Sequence, residues 1–198
     1  MNSRVTSLDL TPEIAIRALW VIWMMSWLAA AAWSDRTVKG PATRHQIVYR
    51  LLAAAGFVLL FGIYHSTWAK LLLWRTPDAL AWIMVALTFA GLLITWWARI
   101  YLGRLWSSDV ARKADHHVVD TGPYGIVRHP IYTGIILASI GTAVTRGTLG
   151  AWLGVGVMTL GWSIKARMEE GFLREQLGAE EYGRYARRVP MLVPFLKR

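Results

Sequence analysis

The sequence predicts an all-α integral membrane protein of about five transmembrane helices with a cytoplasmic helical C-terminal segment, and three observations carry that expectation. Hydrophobic residues make up 55% of the 198 and charged residues only 17%, where a soluble domain carries about 25% charge. Five apolar runs recur along the chain, most of them close to the ~20 residues that a helix needs to cross hydrocarbon. Alternation of those runs places 17 of the 22 Lys and Arg residues on one side, the pattern that marks a cytoplasmic face. The composition argues against a soluble globular enzyme, a disordered chain and a coiled coil. The absence of Cys excludes a disulfide scaffold, a thiolate zinc site and a Cys nucleophile; no metal site is expected. A net charge of +10 suits either nucleic acid or an anionic membrane face, and the apolar runs select the membrane.

The first run covers residues 14–33, interrupted only by Arg17. Thr11-Pro12-Glu13 before it reads as a helix start, and its core is rich in Trp, which favours a span over a signal peptide. The second covers roughly residues 47–64, with a continuation to 74 open, and the third about 79–101. Two shorter runs, 131–145 and 149–164, are separated only by Arg146-Gly147-Thr148, which leaves room for nothing but a tight helical hairpin. Gly150 and Gly154 stand at GxxxG spacing, expected to let the last two helices pack closely. The 12 Trp residues sit mostly near span ends, as an interfacial belt does. An odd number of spans with this charge pattern predicts the N-terminus outside and the C-terminus in the cytoplasm, in a bacterial inner membrane rather than the endoplasmic reticulum.

The polar chemistry lies after residue 100. The segment His116-His117-Val118-Val119-Asp120-Thr121-Gly122-Pro123-Tyr124 carries turn signals and runs into Arg128-His129-Pro130-Ile131-Tyr132-Thr133-Gly134. Pro130 suits the first turn of span four, where its missing N–H costs nothing. Arg128, His129 and a helix N-terminus therefore meet at the interface, a setting for an anion. After span five, Lys165 and Glu169 share a helix face as an i,i+4 pair, followed by Glu170. Each has an ordinary structural alternative: a solvated face for the Glu pair, snorkelling for Lys165, a helix-start hydrogen bond for His129. Gly178 ends the following helix, and residues 180–188 form a shorter one with Tyr182 and Tyr185 on one side, able to lie against lipid headgroups.

Gly-Pro-Tyr-x-x-x-Arg-His-Pro-x-Tyr-x-Gly, then Glu-Glu-x-x-Leu, then Glu-Tyr-x-x-Tyr-x-x-Arg-Val-Pro resembles the isoprenylcysteine carboxyl methyltransferases, integral-membrane enzymes that use S-adenosylmethionine; phospholipid N-methyltransferases are relatives. The resemblance covers about residues 101–196. It implies a first part, 1–100, of transmembrane helices 1–3 and a catalytic half, 101–198, of cytoplasmic loop, transmembrane hairpin and C-terminal helices. It implies cofactor contacts at His116, His117, Val118, Val119, Tyr124, His129, Pro130, Ile131, Tyr132 and Glu169. Asp109 stands where the family has Gln. Lys165 stands where the family has a substrate-contacting Arg, and the two are not interchangeable at a bidentate carboxylate site.

The activity so implied is S-adenosylmethionine-dependent methyl transfer to the carboxylate of a lipophilic small molecule or prenylated peptide at the cytoplasmic interface, with membrane lipid as the other partner and no nucleic acid. Arg128, as a catalytic and substrate-binding cation, and Lys165 would orient the carboxylate, which is already ionised at neutral pH and needs no general base. Phospholipid amines and small thiols or acids are the alternative acceptors; a membrane reductase using a reduced nicotinamide and a non-enzymatic lipid-binding protein are the more distant readings.

Overall fold

The computed structural model describes residues 10–31, 44–63, 67–103 and 119–196. Six α-helices lie among the described residues: α1 (Pro12–Ala31), α2 (Arg44–Phe61), α3 (Asp78–Leu102), α4 (Pro130–Arg146), α5 (Leu149–Leu177) and α6 (Ala179–Arg188). Short 3-10 turns occupy Trp68–Lys70 and Gly122–Gly125. The protein is an integral membrane protein, and α1, α2 and α3 are each long and apolar enough to cross a bilayer. Their outer faces are bare: Val21, Ile22, Met25 and Leu28 on α1, Leu51 on α2, and Ile83 and Leu93 on α3 are exposed, as side chains in contact with lipid are.

The remaining two expected spans form the hairpin but do not meet the same length and composition. α4 has 17 residues, about 25 Å of helix, against a hydrocarbon core of about 30 Å. The apolar half of α5 is diluted by Gly150, Gly154, Gly156 and Gly161, while its second half is charged through to Leu177. α4 has no exposed residue, and the apolar half of α5 bares only a narrow face running from Leu153 to Leu160. α4 packs along α3 and α5 along α2, so their outer surfaces need less apolar character.

In lipid there is no hydrophobic drive between helices, and association rests on close packing of small residues. A Cβ on Gly91 would stand 2.6 Å from the Gly134 carbonyl oxygen, and one on Gly134 would stand 2.5 Å from that of Gly91. These two glycines bring α3 and α4 into backbone contact. Gly56 and Gly154 do the same for α2 and α5: a Cβ on Gly154 would lie 2.7 Å from the Gly56 carbonyl oxygen. Gly154 thus serves the α2 contact, not the α4 contact expected from its GxxxG spacing.

The ends of the hairpin follow from sequence. Pro130 opens α4 and Gly147 closes it at φ 59°, its N–H reaching the Ala143 carbonyl. Only glycine fits there, because a Cβ would sit 2.2 Å from the Trp74 carbonyl oxygen. Thr148 caps α5, accepting from the Ala151 N–H at 3.3 Å. The strand-like segment before α3 is tied to this turn, with Leu73 N–H donating to Gly147 at 2.7 Å and Leu149 N–H to Leu71 at 3.0 Å. α2 therefore stops at Phe61 instead of continuing towards Trp74.

Two of the Trp residues expected in an interfacial belt are core residues. Trp20 and Trp23 of α1 point inward and are buried. Their indole N–H groups donate to Thr142 on α4 at 3.0 Å and Thr95 on α3 at 2.7 Å. A buried Trp requires such a partner, and the two threonines supply it while themselves donating to Ala138 and Leu92 carbonyls.

Candidate active site

The start of α4 and the end of the apolar half of α5 meet at one end of the bundle. Five charged groups converge there: Arg128, His129, Lys165, Glu169 and Glu170. The His129 imidazole lies between two carboxylates, with Nδ1 3.5 Å from Glu169 and Nε2 3.2 Å from Glu170. Only the doubly protonated ring can donate to both. Burial alone would lower the His129 pKa, but hydrogen bonds to Glu169 and Glu170 and their charges outweigh it, so the pKa is raised. Burial likewise opposes ionisation of Glu169, and the Lys165 charge together with His129 and Tyr132 holds it below the usual carboxylate range. Glu170 is lowered against its own desolvation by His129 and Arg128.

The two carboxylates have different jobs. Glu170 faces the C-terminal segment: Arg128 Nε donates to it at 2.8 Å, and Arg174 lies 3.8 Å away. Arg128 also donates to the carbonyls of Ala186 at 2.9 Å and Val189 at 2.6 Å. Its guanidinium therefore ties α4, α5 and α6 together. The chain beyond α6 is strapped across the start of α4, with Arg128 and His129 N–H groups donating to Pro190 and Met191 at 2.9 and 3.1 Å. Tyr182 and Tyr185 close this corner as a small core with Val189, packed on Leu173 and Leu177. That buries the face of α6 that the sequence left free for lipid headgroups.

Glu169 faces the other way. It accepts from the Tyr132 hydroxyl at 2.7 Å and lies 3.8 Å from the Lys165 ammonium. Tyr132 is the centre of a stack, nearly parallel to His129 at 5.5 Å and to Trp162 at 5.1 Å between ring centroids. The Lys165 ammonium is ringed by aromatic faces: Tyr49 at 5.4 Å, Tyr132 at 5.5 Å and Trp162 at 5.9 Å. At 8% exposure Lys165 is held inside the bundle rather than snorkelling from its edge.

Of the residues anticipated from sequence, His129, Tyr132, Glu169 and Lys165 come together here, with Arg128 on the far side of Glu170. Pro130 is buried as the first residue of α4, and Ile131 packs against the main core. Tyr124 is buried beside Tyr101, and its carbonyl accepts from Tyr185 at 2.8 Å. Val119 is half-buried. His116, His117, Val118 and Asp109 lie outside the described residues. Two residues of the cluster were not anticipated. Trp162 stands one helical turn before Lys165, a spacing that could have flagged it. Tyr49 comes from α2, far away in sequence and outside any motif.

A carboxylate that stays ionised, flanked by aromatic faces and a histidine, suits a cationic ligand bearing amino and hydroxyl donors. Among the described residues no group of three His, Asp or Glu side chains gathers as a metal site would. Residues 75–171 match the model of the isoprenylcysteine carboxyl methyltransferase family. The cobalt-zinc-cadmium resistance protein CzcN of Cupriavidus metallidurans is 30% identical over 171 residues, which cover 82% of this chain and 69% of that protein. The chain belongs to the isoprenylcysteine carboxyl methyltransferase family. Methanethiol S-methyltransferase 1 of Bradyrhizobium diazoefficiens is also 30% identical, over 82% of this chain and 58% of its own length. The fold matches that of the eukaryotic intramembrane Ras methyltransferase of this family with a TM-score of 0.56 at 22% identity, over 96% of this chain and 70% of the other.

Proposed function

We propose that the protein transfers a methyl group from S-adenosylmethionine to the carboxylate of a lipophilic acceptor that enters from the bilayer. The observation that carries this reading is the adjacency of Lys165 and Glu169, a buried cation and an ionised carboxylate 3.8 Å apart on one helix face. Glu169, with His129 and Tyr132, fits the cofactor: an acceptor for its amino or hydroxyl groups and aromatic faces for its positive charge. S-adenosylmethionine supplies an electrophilic methyl group. Lys165 holds the acceptor anion beside it, and positioning of this kind is worth up to about 7–11 kcal/mol. A carboxylate carries no proton at neutral pH, so no base is required of the protein. By the family resemblance, the remaining cofactor contacts are His116 to Val119 and Tyr124. Arg128 contributes through Glu170, by fixing the start of α4 and the position of His129, rather than by touching the acceptor.

The site faces the cytoplasm in this reading, because the basic segments flank it. The test is incubation of purified protein with deuteromethyl-labelled cofactor and lipid or prenylated-peptide extracts. A labelled product that releases methanol on alkaline treatment is expected. A base-stable thioether would reassign the acceptor to the thiol class named by the Bradyrhizobium relative, and a base-stable amine to the phospholipid class. Lys165→Gln should raise the acceptor KM about tenfold, since a hydrogen bond to a charged group contributes about 1.5–3 kcal/mol, while cofactor affinity measured by calorimetry stays near that of the parent.

A further inference from the structure

Resting on the carboxylate reading above, we propose that Tyr49 and Trp162 are acceptor-recognition residues: with Lys165 they form a donor-lined anion subsite in which the Tyr49 hydroxyl selects a carboxylate over a neutral headgroup. Tyr49 is 3% exposed, yet its hydroxyl has no hydrogen-bond partner among the described residues. The same is true of the indole N–H of Trp162. Buried polar atoms are nearly always paired, and the two side chains that carry these atoms flank the same ammonium, with ring centroids 5.4 Å and 5.9 Å from Lys165 Nζ.

The placement follows from the helix crossing. Gly161 lets α2 approach α5, since a Cβ there would lie 3.2 Å from the Tyr49 carbonyl oxygen. Tyr49 is thereby held against α5 with its ring beside Lys165. Tyr132 is not available for the same task, because its hydroxyl is committed to Glu169 at 2.7 Å. The chemistry of the remaining set is one-sided. Trp N–H and the Lys ammonium can only donate, and a Tyr hydroxyl can donate. A group that satisfies the two unpaired donors must be an acceptor, and the ammonium beside them favours an anion. A carboxylate has two oxygens with about four acceptor positions, enough to take these donors and leave a lone pair for reaction. A neutral amide or amine headgroup would bring N–H groups that compete with the donors.

Binding of N-acetyl-S-farnesylcysteine and of its neutral carboxamide to the detergent-solubilised full chain, measured by calorimetry, tests this without depending on turnover. The wild type should prefer the acid at least tenfold. Tyr49→Phe, which keeps the ring over Lys165 and removes only the hydroxyl, should reduce that preference about tenfold with an unchanged melting temperature and unchanged S-adenosylmethionine affinity. Trp162→Phe should act in the same direction. A preference in Tyr49→Phe equal to wild type, or no preference in the wild type, overturns the proposal. Acid selectivity that depends on Tyr49, with no base-labile ester formed, upholds the subsite and fails the methyl-transfer reading instead.

Discussion

At the scale of single residues, the site is organised by one histidine and two carboxylates. Glu169 is the group on which cofactor affinity should depend most. Glu169→Ala removes the acceptor of the Tyr132 hydroxyl and the partner of Lys165. Loss of a hydrogen bond to a charged group costs about 1.5–3 kcal/mol, so S-adenosylmethionine binding should weaken more than tenfold by calorimetry. Wild-type affinity in this variant would falsify the cofactor assignment. The His129 arrangement sets a pH dependence. Its raised pKa means that its contribution to stability is full below about 6.5, the ordinary value, and is lost as pH rises through the raised one. The depressed pKa values of Glu169 and Glu170 give contributions that are full above about 4.3 and are lost as pH falls through the lowered ones. The melting temperature of the wild type should therefore exceed that of His129→Asn most between these limits, and the gap should shrink on the alkaline side. A gap independent of pH would mean that the imidazolium plays no part. His129, Tyr132 and Glu169 were legible in the sequence because they belong to ordered motifs. Tyr49 was not, because its role arises only from the crossing of α2 and α5.

At the scale of elements, the Arg128 guanidinium is the hub of the C-terminal corner. Arg128 joins Glu170 of α5 to the Ala186 and Val189 carbonyls at the end of α6. Breaking a buried ion pair by removing one partner costs about 3–5 kcal/mol, so Arg128→Gln should loosen α6 and the strap over α4. Limited proteolysis should then cut near Gly178, the residue at φ 89° between α5 and α6, much faster than in the parent. An unchanged cleavage rate would place the hold elsewhere, in the Tyr182 and Tyr185 core. The helices of the bundle show what sequence reading captures and what it does not. Apolar length gave α1, α2 and α3 directly, and the three-residue link gave the α4–α5 hairpin. Pairing was not legible: the GxxxG spacing announced a close contact but not which helix would fill it, and Gly154 meets Gly56 of α2. The inward turn of Trp20 and Trp23 was hidden for a similar reason, since their partners Thr142 and Thr95 lie on helices far away in sequence.

At the scale of the whole molecule, charge decides how the bundle sits in the bilayer. Arg128, Lys165, Arg174 and the basic residues of α6 all lie around the end of the bundle that carries the candidate site. Arg17, Arg75 and Arg146 mark the opposite end, where Arg17 pairs with Glu13 at 3.7 Å. The hairpin turn at Gly147 is therefore separated from the site by the full length of α4, about 25 Å at 1.5 Å per residue. In the proposed orientation the Lys/Arg excess sets the site end on the cytoplasmic side, from which a water-soluble cofactor would reach it. A chain with no Cys allows this orientation to be measured directly. Single Cys residues at Thr76 and Thr148 should react with an impermeant maleimide added to intact cells, and those at Thr43, Ser108 and Lys197 only after the membrane is opened. Because Thr148 caps α5 at one end of the hairpin and the strap at Pro190 and Met191 lies at the other, reaction of the Thr148 and Lys197 variants from the same side would require α5 not to cross. That result would overturn the five-span orientation while leaving the geometry of the site untouched.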